Sequence, residues 1–228
     1  VDASPKDAMN VTKENSSMTN AEATVFIVDD DDAARNGLRE LIESVSFNVK
    51  TFASAPEFLE AYDPEVCGCL LLDVRMPGMS GLKLQEEMNR RGTGLPILFI
   101  TGHGDVAMAV DALKNGAFDF VEKPIRGQFL LDKIHCAIER HKLVCRRREK
   151  MKQIRAQQAL LTEREREILD RVKVGSGTKL IAKEFGLSRK TVDAHLTSIR
   201  EKMGVESTPQ LIMLLYESGL LQPSFVNS

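Results

Sequence analysis

Val28-Asp29-Asp30-Asp31-Asp32 and Leu71-Leu72-Asp73-Val74-Arg75-Met76-Pro77-Gly78-Met79-Ser80-Gly81 are two acidic words, each hung on the end of an apolar run, and their reading decides the fold. A short run of continuous apolar residues is the mark of a strand buried on both faces. Two more such runs follow and end in polar groups: Ile97-Leu98-Phe99-Ile100-Thr101-Gly102, and Phe118-Asp119-Phe120-Val121-Glu122-Lys123-Pro124. Carboxylates, a hydroxyl and an ammonium therefore stand together at strand ends. Carboxylates that converge there repel one another unless a divalent cation lies between them, which points to a Mg²⁺ site.

Helical spacing fills the intervals. Leu38, Leu41, Ile42 and Val45 share a helical face, Val49 to Phe52 is strand-like, and Ser54-Ala55-Pro56-Glu57 reads as a capping box. Five strands alternating with five helices predict an α/β, doubly wound, five-stranded parallel sheet with its ligands at the carboxyl ends. The fifth helix starts near Gly127 and meets no stop signal before Thr162. Its apolar stripe of Leu130, Leu131, Ile134 and Ile138 gives way to Arg140, Lys142, Arg146, Arg147, Arg148, Lys150, Lys152 and Arg155. That basic stretch is either a solvated face joining two domains or an approach to DNA phosphates. Its heptad signal is too weak for a coiled coil.

The acid pair, central Asp, Thr and Lys-Pro, in that order, resemble the receiver domain of bacterial two-component response regulators over about residues 23–140. The resemblance implies that Asp73 accepts a phosphoryl group from a sensor histidine kinase. It further implies that Asp30, Asp73 and the backbone carbonyl of Arg75 ligate Mg²⁺ directly while Asp29 acts through water. Lys123 and Thr101 would meet the phosphoryl oxygens, and Phe120 would turn inward as part of a switch that favours a homodimer. Ile125 stands where these domains commonly carry Phe. Independently of the family, phosphoryl transfer needs an in-line acceptor, a metal and positive charge on the equatorial oxygens, and these residue types supply them.

Beyond the basic stretch, Thr162 and Glu165 form a capping box, Gly175-Ser176-Gly177 breaks a helix, Thr178 is placed to cap a short one and Ser188 a longer one. Val192, Leu196, Ile199 and Met203 make the buried stripe of the last, which turns Lys190, Asp193, Ala194, Thr197 and Arg200 outward. Helix, Gly turn and half-exposed helix is the layout of an all-α helix-turn-helix DNA reader.

The wording is similar to the NarL/FixJ or LuxR-type four-helix domain: Leu161-Thr162-x-Arg164-Glu165-x-Glu167-Ile168-Leu169, Lys179-x-Ile181-Ala182, Thr191-Val192-x-x-His195 and Lys202-Met203-Gly204-Val205. By that resemblance Asp193, Ala194 and Thr197 face base edges, and Lys179, Lys190, Thr191, His195 and Arg200 lie near phosphate. His195 is equally a half-buried packing residue. Asp193 departs from the Lys often found there; an acid accepts from a cytosine amino group or holds a neighbouring Arg, but it repels phosphate. The helix opened by Thr208-Pro209 is partly core and, by resemblance, partly a dimer face.

Length and composition fit this organisation. The 228 residues suit two modest domains, and 43% hydrophobic with 28% charged residues is a globular balance. The expected layout is a disordered tail at 1–22, a receiver at 23–140, a basic helical linker at 141–158 and a DNA-binding domain at 159–228. No apolar run reaches the roughly 20 residues of a membrane span, and no secretory signal is present, so a cytoplasmic site is expected. Cys67 and Cys69 flank a Gly, and Cys136 and Cys145 lie on a helix with His135 and His141. His141 and Cys145, four residues apart, could hold one side of a metal site, but no second ligand pair stands at matching spacing, so reduced thiols are the reading. The expected whole is a phosphoacceptor transcription factor, not an enzyme, with a sensor kinase, promoter DNA and RNA polymerase as partners. The alternative class, a receiver serving as an adaptor with a protein-binding carboxy-terminal domain, conflicts with the complete helix-turn-helix.

Overall fold

The computed structural model describes residues 23–102 and 106–221. The expected tail at 1–22 lies outside the described residues. Two compact units divide between Cys145 and Arg146. The first alternates β1 (Thr24–Val28), α1 (Asp32–Glu43), β2 (Asn48–Phe52), α2 (Ala55–Ala61), β3 (Gly68–Asp73), α3 (Gly81–Arg91), β4 (Ile97–Thr101), α4 (Val106–Lys114), β5 (Asp119–Glu122) and the start of α5 (Gly127–Ala159). All four strand pairings are parallel, in the order β2-β1-β3-β4-β5.

Each strand serves both faces, because successive side chains of a strand point opposite ways. Val25, Ile27, Cys69, Leu71, Leu98 and Ile100 face a core closed by Leu38 and Ile42 of α1 and by Leu130, Leu131, Ile134, Ala137 and Ile138 of α5. Phe26, Val28, Leu70, Leu72, Ile97 and Phe99 face the opposite core, closed by Phe58 of α2, Leu84 and Met88 of α3 and Ala112 of α4. Burial on both sides explains the continuous apolar runs. The sheet order also makes β1, β3, β4 and β5 neighbours, so the polar groups ending those strands stand side by side. One cap differs from its expected form: Ser54 Oγ accepts from Glu57 N, but the Glu57 carboxylate reaches the N–H of Ala53 rather than that of Ser54.

The second unit contains α6 (Glu163–Lys173), α7 (Thr178–Phe185), α8 (Arg189–Lys202) and α9 (Thr208–Glu217). Ile168, Ile181, Val192, Ile199, Leu211 and Leu215 form its dry centre, joined by Ile154 from the end of α5. The capping box of α6 is present in both directions. Thr178 does not cap α7: it is already helical, and Gly177 takes the cap position with no side-chain bond. Gly186, in the left-handed conformation at φ 64°, turns the chain between α7 and α8, and Ser188 caps α8 by accepting from Thr191 N. His141 and Lys142 are buried in the first unit.

Candidate functional site: an acidic pocket and a recognition helix

Four strand ends build the pocket. Asp29 follows β1 and is 2% exposed; its Oδ1 accepts the N–H of Asp31 at 2.9 Å. Asp73 closes β3, where its Oδ2 accepts the N–H of Arg75 at 2.8 Å. Lys123 follows β5 and donates to Asp73 Oδ1 at 3.0 Å and to Asp29 Oδ2 at 3.4 Å, bridging the two carboxylates. Its backbone N–H is bound to the carbonyl of Thr101 at 2.8 Å, which couples the ends of β4 and β5. Thr101 is buried, Asp30 is exposed at the mouth, and Phe120 is half-buried against the second core, level with Phe99.

Electrostatics in the pocket are uneven. Burial raises the Asp29 carboxyl above its ordinary range and the charge of Asp73 adds to this, while the Asp31 N–H and Lys123 work against it. Burial also opposes the charge on Lys123, but its contacts with Asp73 and Asp29 outweigh that and hold the ammonium above its usual value. One ammonium thus faces a buried carboxylate, Asp29, and a half-buried one, Asp73, with exposed Asp30 next in the chain. An oxygen-rich, under-neutralised set of this kind fits a hard divalent cation.

The exposed side of α8 carries the second site. Lys190, Thr191, Asp193, Ala194 and Thr197 are exposed, His195 and Arg200 are half-buried, and Lys179 is exposed on α7. The expected stripe of Val192, Leu196, Ile199 and Met203 is buried beneath them. Thr197 Oγ1 donates to the Asp193 carbonyl at 3.0 Å and accepts from Arg200 Nη2 at 2.9 Å. Thr191 Oγ1 shares a hydrogen bond with Ser188 Oγ at 2.8 Å, so it belongs to the helix cap as well as to the surface.

Sequence reading missed the clamp beneath this face. Glu165, 4% exposed, accepts from Thr162 N at 2.7 Å, Ser198 Oγ at 2.7 Å and Lys202 Nζ at 2.6 Å. The capping box announced only the first of these. Burial favours its neutral form, yet the bonds from Lys202, Ser198 and Thr162 prevail and bring the carboxyl down to about 2. Arg164 adds a second tie, stacked 4.3 Å over the Phe185 ring and donating to the Phe185 carbonyl at 3.0 Å.

Comparison with known proteins joins the two halves. Residues 25–135 match the response regulator receiver domain, and residues 159–215 match the bacterial regulatory proteins of the luxR family. The transcriptional regulatory protein TdiR of Thauera aromatica is 45% identical over 191 residues, spanning 83% of this chain and 84% of TdiR. The chain is a response regulator of the NarL/FixJ type. The transcriptional regulatory protein FixJ of Bradyrhizobium diazoefficiens is 36% identical over 197 residues, 86% of this chain and 96% of FixJ. The solved structure of response regulator StyR superposes with a TM-score of 0.77 at 43% identity, covering 86% of this chain and all of that one. A response regulator of this build is a two-component transcriptional regulator rather than a conventional enzyme, and its receiver and DNA-binding halves imply a sensor kinase and DNA as partners. No helix among the described residues is long and apolar enough to cross a membrane.

Proposed function

We propose that Asp73 is the phosphoacceptor: a carboxylate oxygen attacks the phosphorus of a phosphohistidine on a sensor kinase, the P–N bond breaks, and an acyl phosphate remains. The observation that carries this reading is Lys123 Nζ bridging Asp73 and buried Asp29, because the same ammonium is within reach of the oxygens of a group attached to Asp73. Asp30, Asp73 and the Arg75 carbonyl would hold Mg²⁺ directly and Asp29 through water; the bound cation supplies charge neutralisation at the transferring oxygens. Thr101 then offers its hydroxyl to a phosphoryl oxygen, and half-buried Phe120 fills the space that this movement leaves.

The added charge of about −1.5 to −2 is the signal. It shifts the receiver toward a conformation that pairs with a second copy, bringing two α8 helices onto a pseudo-palindromic promoter site, where the dimer recruits RNA polymerase and activates transcription in the cytoplasm. Exposed Ile212, Met213 and Tyr216 on α9 are consistent with a dimer face in the DNA-binding half. The working boundaries are a receiver at 23–140, a basic linker at 141–158 and a DNA-binding domain at 159–228.

The test uses the full chain with Mg²⁺ and a small phosphoryl donor. Intact-mass measurement and peptide mapping should find one acid-labile phosphoryl group on Asp73 and none on Asp73→Asn. A phosphoryl group mapped to another residue, or present on the Asn variant, removes the assignment. Sedimentation gives the second arm: equal dimer fractions with and without phosphorylation reject the switch, since a ligand with no preference between two states moves no population.

A further inference from the structure

A cluster with quite different chemistry lies at the opposite, amino-terminal end of the sheet. Cys67, just before β3, comes together with His141 and Cys145 of α5, and one ligand atom from each lies within 4.8 Å of the others. The spacing of four residues on α5 gave one side of this cluster; Cys67 completes it from another part of the chain, which no sequence spacing could announce. Cys67 is 5% exposed and His141 fully buried, whereas Cys145 is half-buried and opens toward solvent.

The backbone fixes the cluster. Gly68 is pressed so closely onto β1 that a Cβ there would sit 1.8 Å from the Thr24 carbonyl oxygen, so no other residue fits. Its N–H donates to His141 Nδ1 at 3.0 Å, which fixes the ring beside the two sulfurs with the Nδ1 lone pair engaged by the backbone. Cys145 Sγ lies 3.8 Å from either ring nitrogen. The contrast with Cys69 is instructive: that thiol is fully buried within β3 and acts as a small core residue. Burial likewise raises the Cys67 thiol, to about 12, and the hydrogen-bonded Cys145 thiol beside it adds to the effect.

We propose that Cys67, His141 and Cys145 form a binding site for one thiophilic, closed-shell cation, with Zn²⁺ as the occupant. In a tetrahedral zinc site with sulfur at about 2.3 Å and nitrogen at about 2.0–2.1 Å, neighbouring ligand atoms are roughly 3.5–3.8 Å apart. The Cys145 sulfur, 3.8 Å from the His141 nitrogens, already stands at that spacing, and Cys67 lies within 4.8 Å of both. On binding, two S–H protons pass to solvent as two S–Zn bonds form, the Nδ1 lone pair exchanges the Gly68 N–H for the cation, and no electron is transferred. The half-buried side at Cys145 admits water as the fourth ligand. The site would tie the start of β3 to α5 at the end of the first unit, and it is independent of the hard oxygen pocket at Asp73, which selects Mg²⁺ rather than a soft metal.

The experiment is a metal titration of the reduced full chain against a chromophoric chelator, with Co²⁺ as a spectroscopic probe. The expected result is one tight equivalent of Zn²⁺ per chain and a thiolate-to-cobalt charge-transfer band in the near ultraviolet. Cys145→Ser, at a half-buried helical position that tolerates the change, should weaken binding more than about 100-fold, beyond what loss of an outer partner costs. Cys67→Ser and His141→Gln should do the same, the Gln oxygen still accepting from Gly68 N–H, while Asp73→Asn leaves zinc binding unchanged. Zinc uptake undiminished in Cys145→Ser, the absence of a charge-transfer band, or a Cys67–Cys145 disulfide forming in air in a chain that takes up no zinc when reduced would each overturn the proposal.

Discussion

The acidic pocket and the α8 surface, the two sites proposed for this chain, are made in different ways. In the pocket Asp29, Asp73 and Lys123 stand at or just past strand ends, and beside the local bonds from Asp31 N and Arg75 N the Lys123 ammonium ties Asp73 and Asp29 together across elements distant in sequence. On α8 the surface groups are engaged locally, Thr197 with Asp193 and Arg200, and Thr191 with Ser188. Chemistry that must hold a reacting phosphoryl group needs prepositioned charge, whereas a surface that must accept DNA keeps its side chains on one rigid helix and lets the partner supply the rest. The precision therefore belongs to the fold in one region and to the complex in the other.

The strongest way to break this contrast is Lys123→Met. If the pocket works through preorganised charge, losing its one bridging ammonium should slow phosphoryl acceptance by about 10²–10³-fold, the usual cost of removing one such donor. Quench-flow or mass-resolved time courses with a small donor measure it. A loss of only severalfold would mean that the metal carries the stabilisation and that the Lys123 bridge is a resting-state contact.

Glu165 supplies the matching test for the DNA-binding unit. Removing one partner of a buried ion pair costs about 3–5 kcal/mol, and Glu165→Ala also forfeits the bonds to Ser198 and Thr162, so denaturant unfolding of this variant should reveal a loss of about 3 kcal/mol. The pH dependence follows from the lowered carboxyl. The folded value of about 2 lies below the ordinary 4.5, so the contribution is fully present above about pH 4.5 and disappears as pH falls toward about 2. The wild-type advantage over Glu165→Ala should shrink across that interval. An advantage that stays constant there would assign the stabilisation to packing instead of charge.

Legibility in the sequence follows the same divide. Asp73, Lys123 and the five-stranded topology could be read because an apolar run ending in a polar residue reports both a buried strand and what stands at its end. The caps at Thr162 and Ser188 were visible because their partners are three residues away. Cys67 meeting His141, and Glu165 reaching Ser198 and Lys202, were not, because nothing local marks a contact between distant segments. Thr178 misled as a cap because Gly177, one residue earlier, already provides the extended backbone that the position requires.

Base reading comes next in size. Thr197 and Arg200 are joined by a hydrogen bond, so they should act as a unit on DNA. Thr197→Ala should change discrimination at one base pair per half-site by about 1–3 kcal/mol, and the double variant with Arg200→Ala should be non-additive. Binding measured across a library of single-base variants decides this. Equal weakening on every sequence would move Thr197 to the phosphate side of the interface.

The smallest effect belongs to Lys179 and Lys190, both exposed and both on the side of the helix-turn-helix assigned to the backbone of DNA. A lysine that neutralises one phosphate releases roughly one condensed counterion, so each Ala substitution should lower the slope of log affinity against log salt by about one unit while leaving the ranking of sites intact. Asp193 lies on the same exposed surface and works against them, since a carboxylate near phosphate is repelled. Asp193→Asn should therefore raise affinity modestly at low salt, and the gain should fade as salt screens it. Fluorescence anisotropy at several salt concentrations separates the cases: a gain from Asp193→Asn that persists at high salt, or a change in site ranking, would place this acid at a base edge and make it part of the reading.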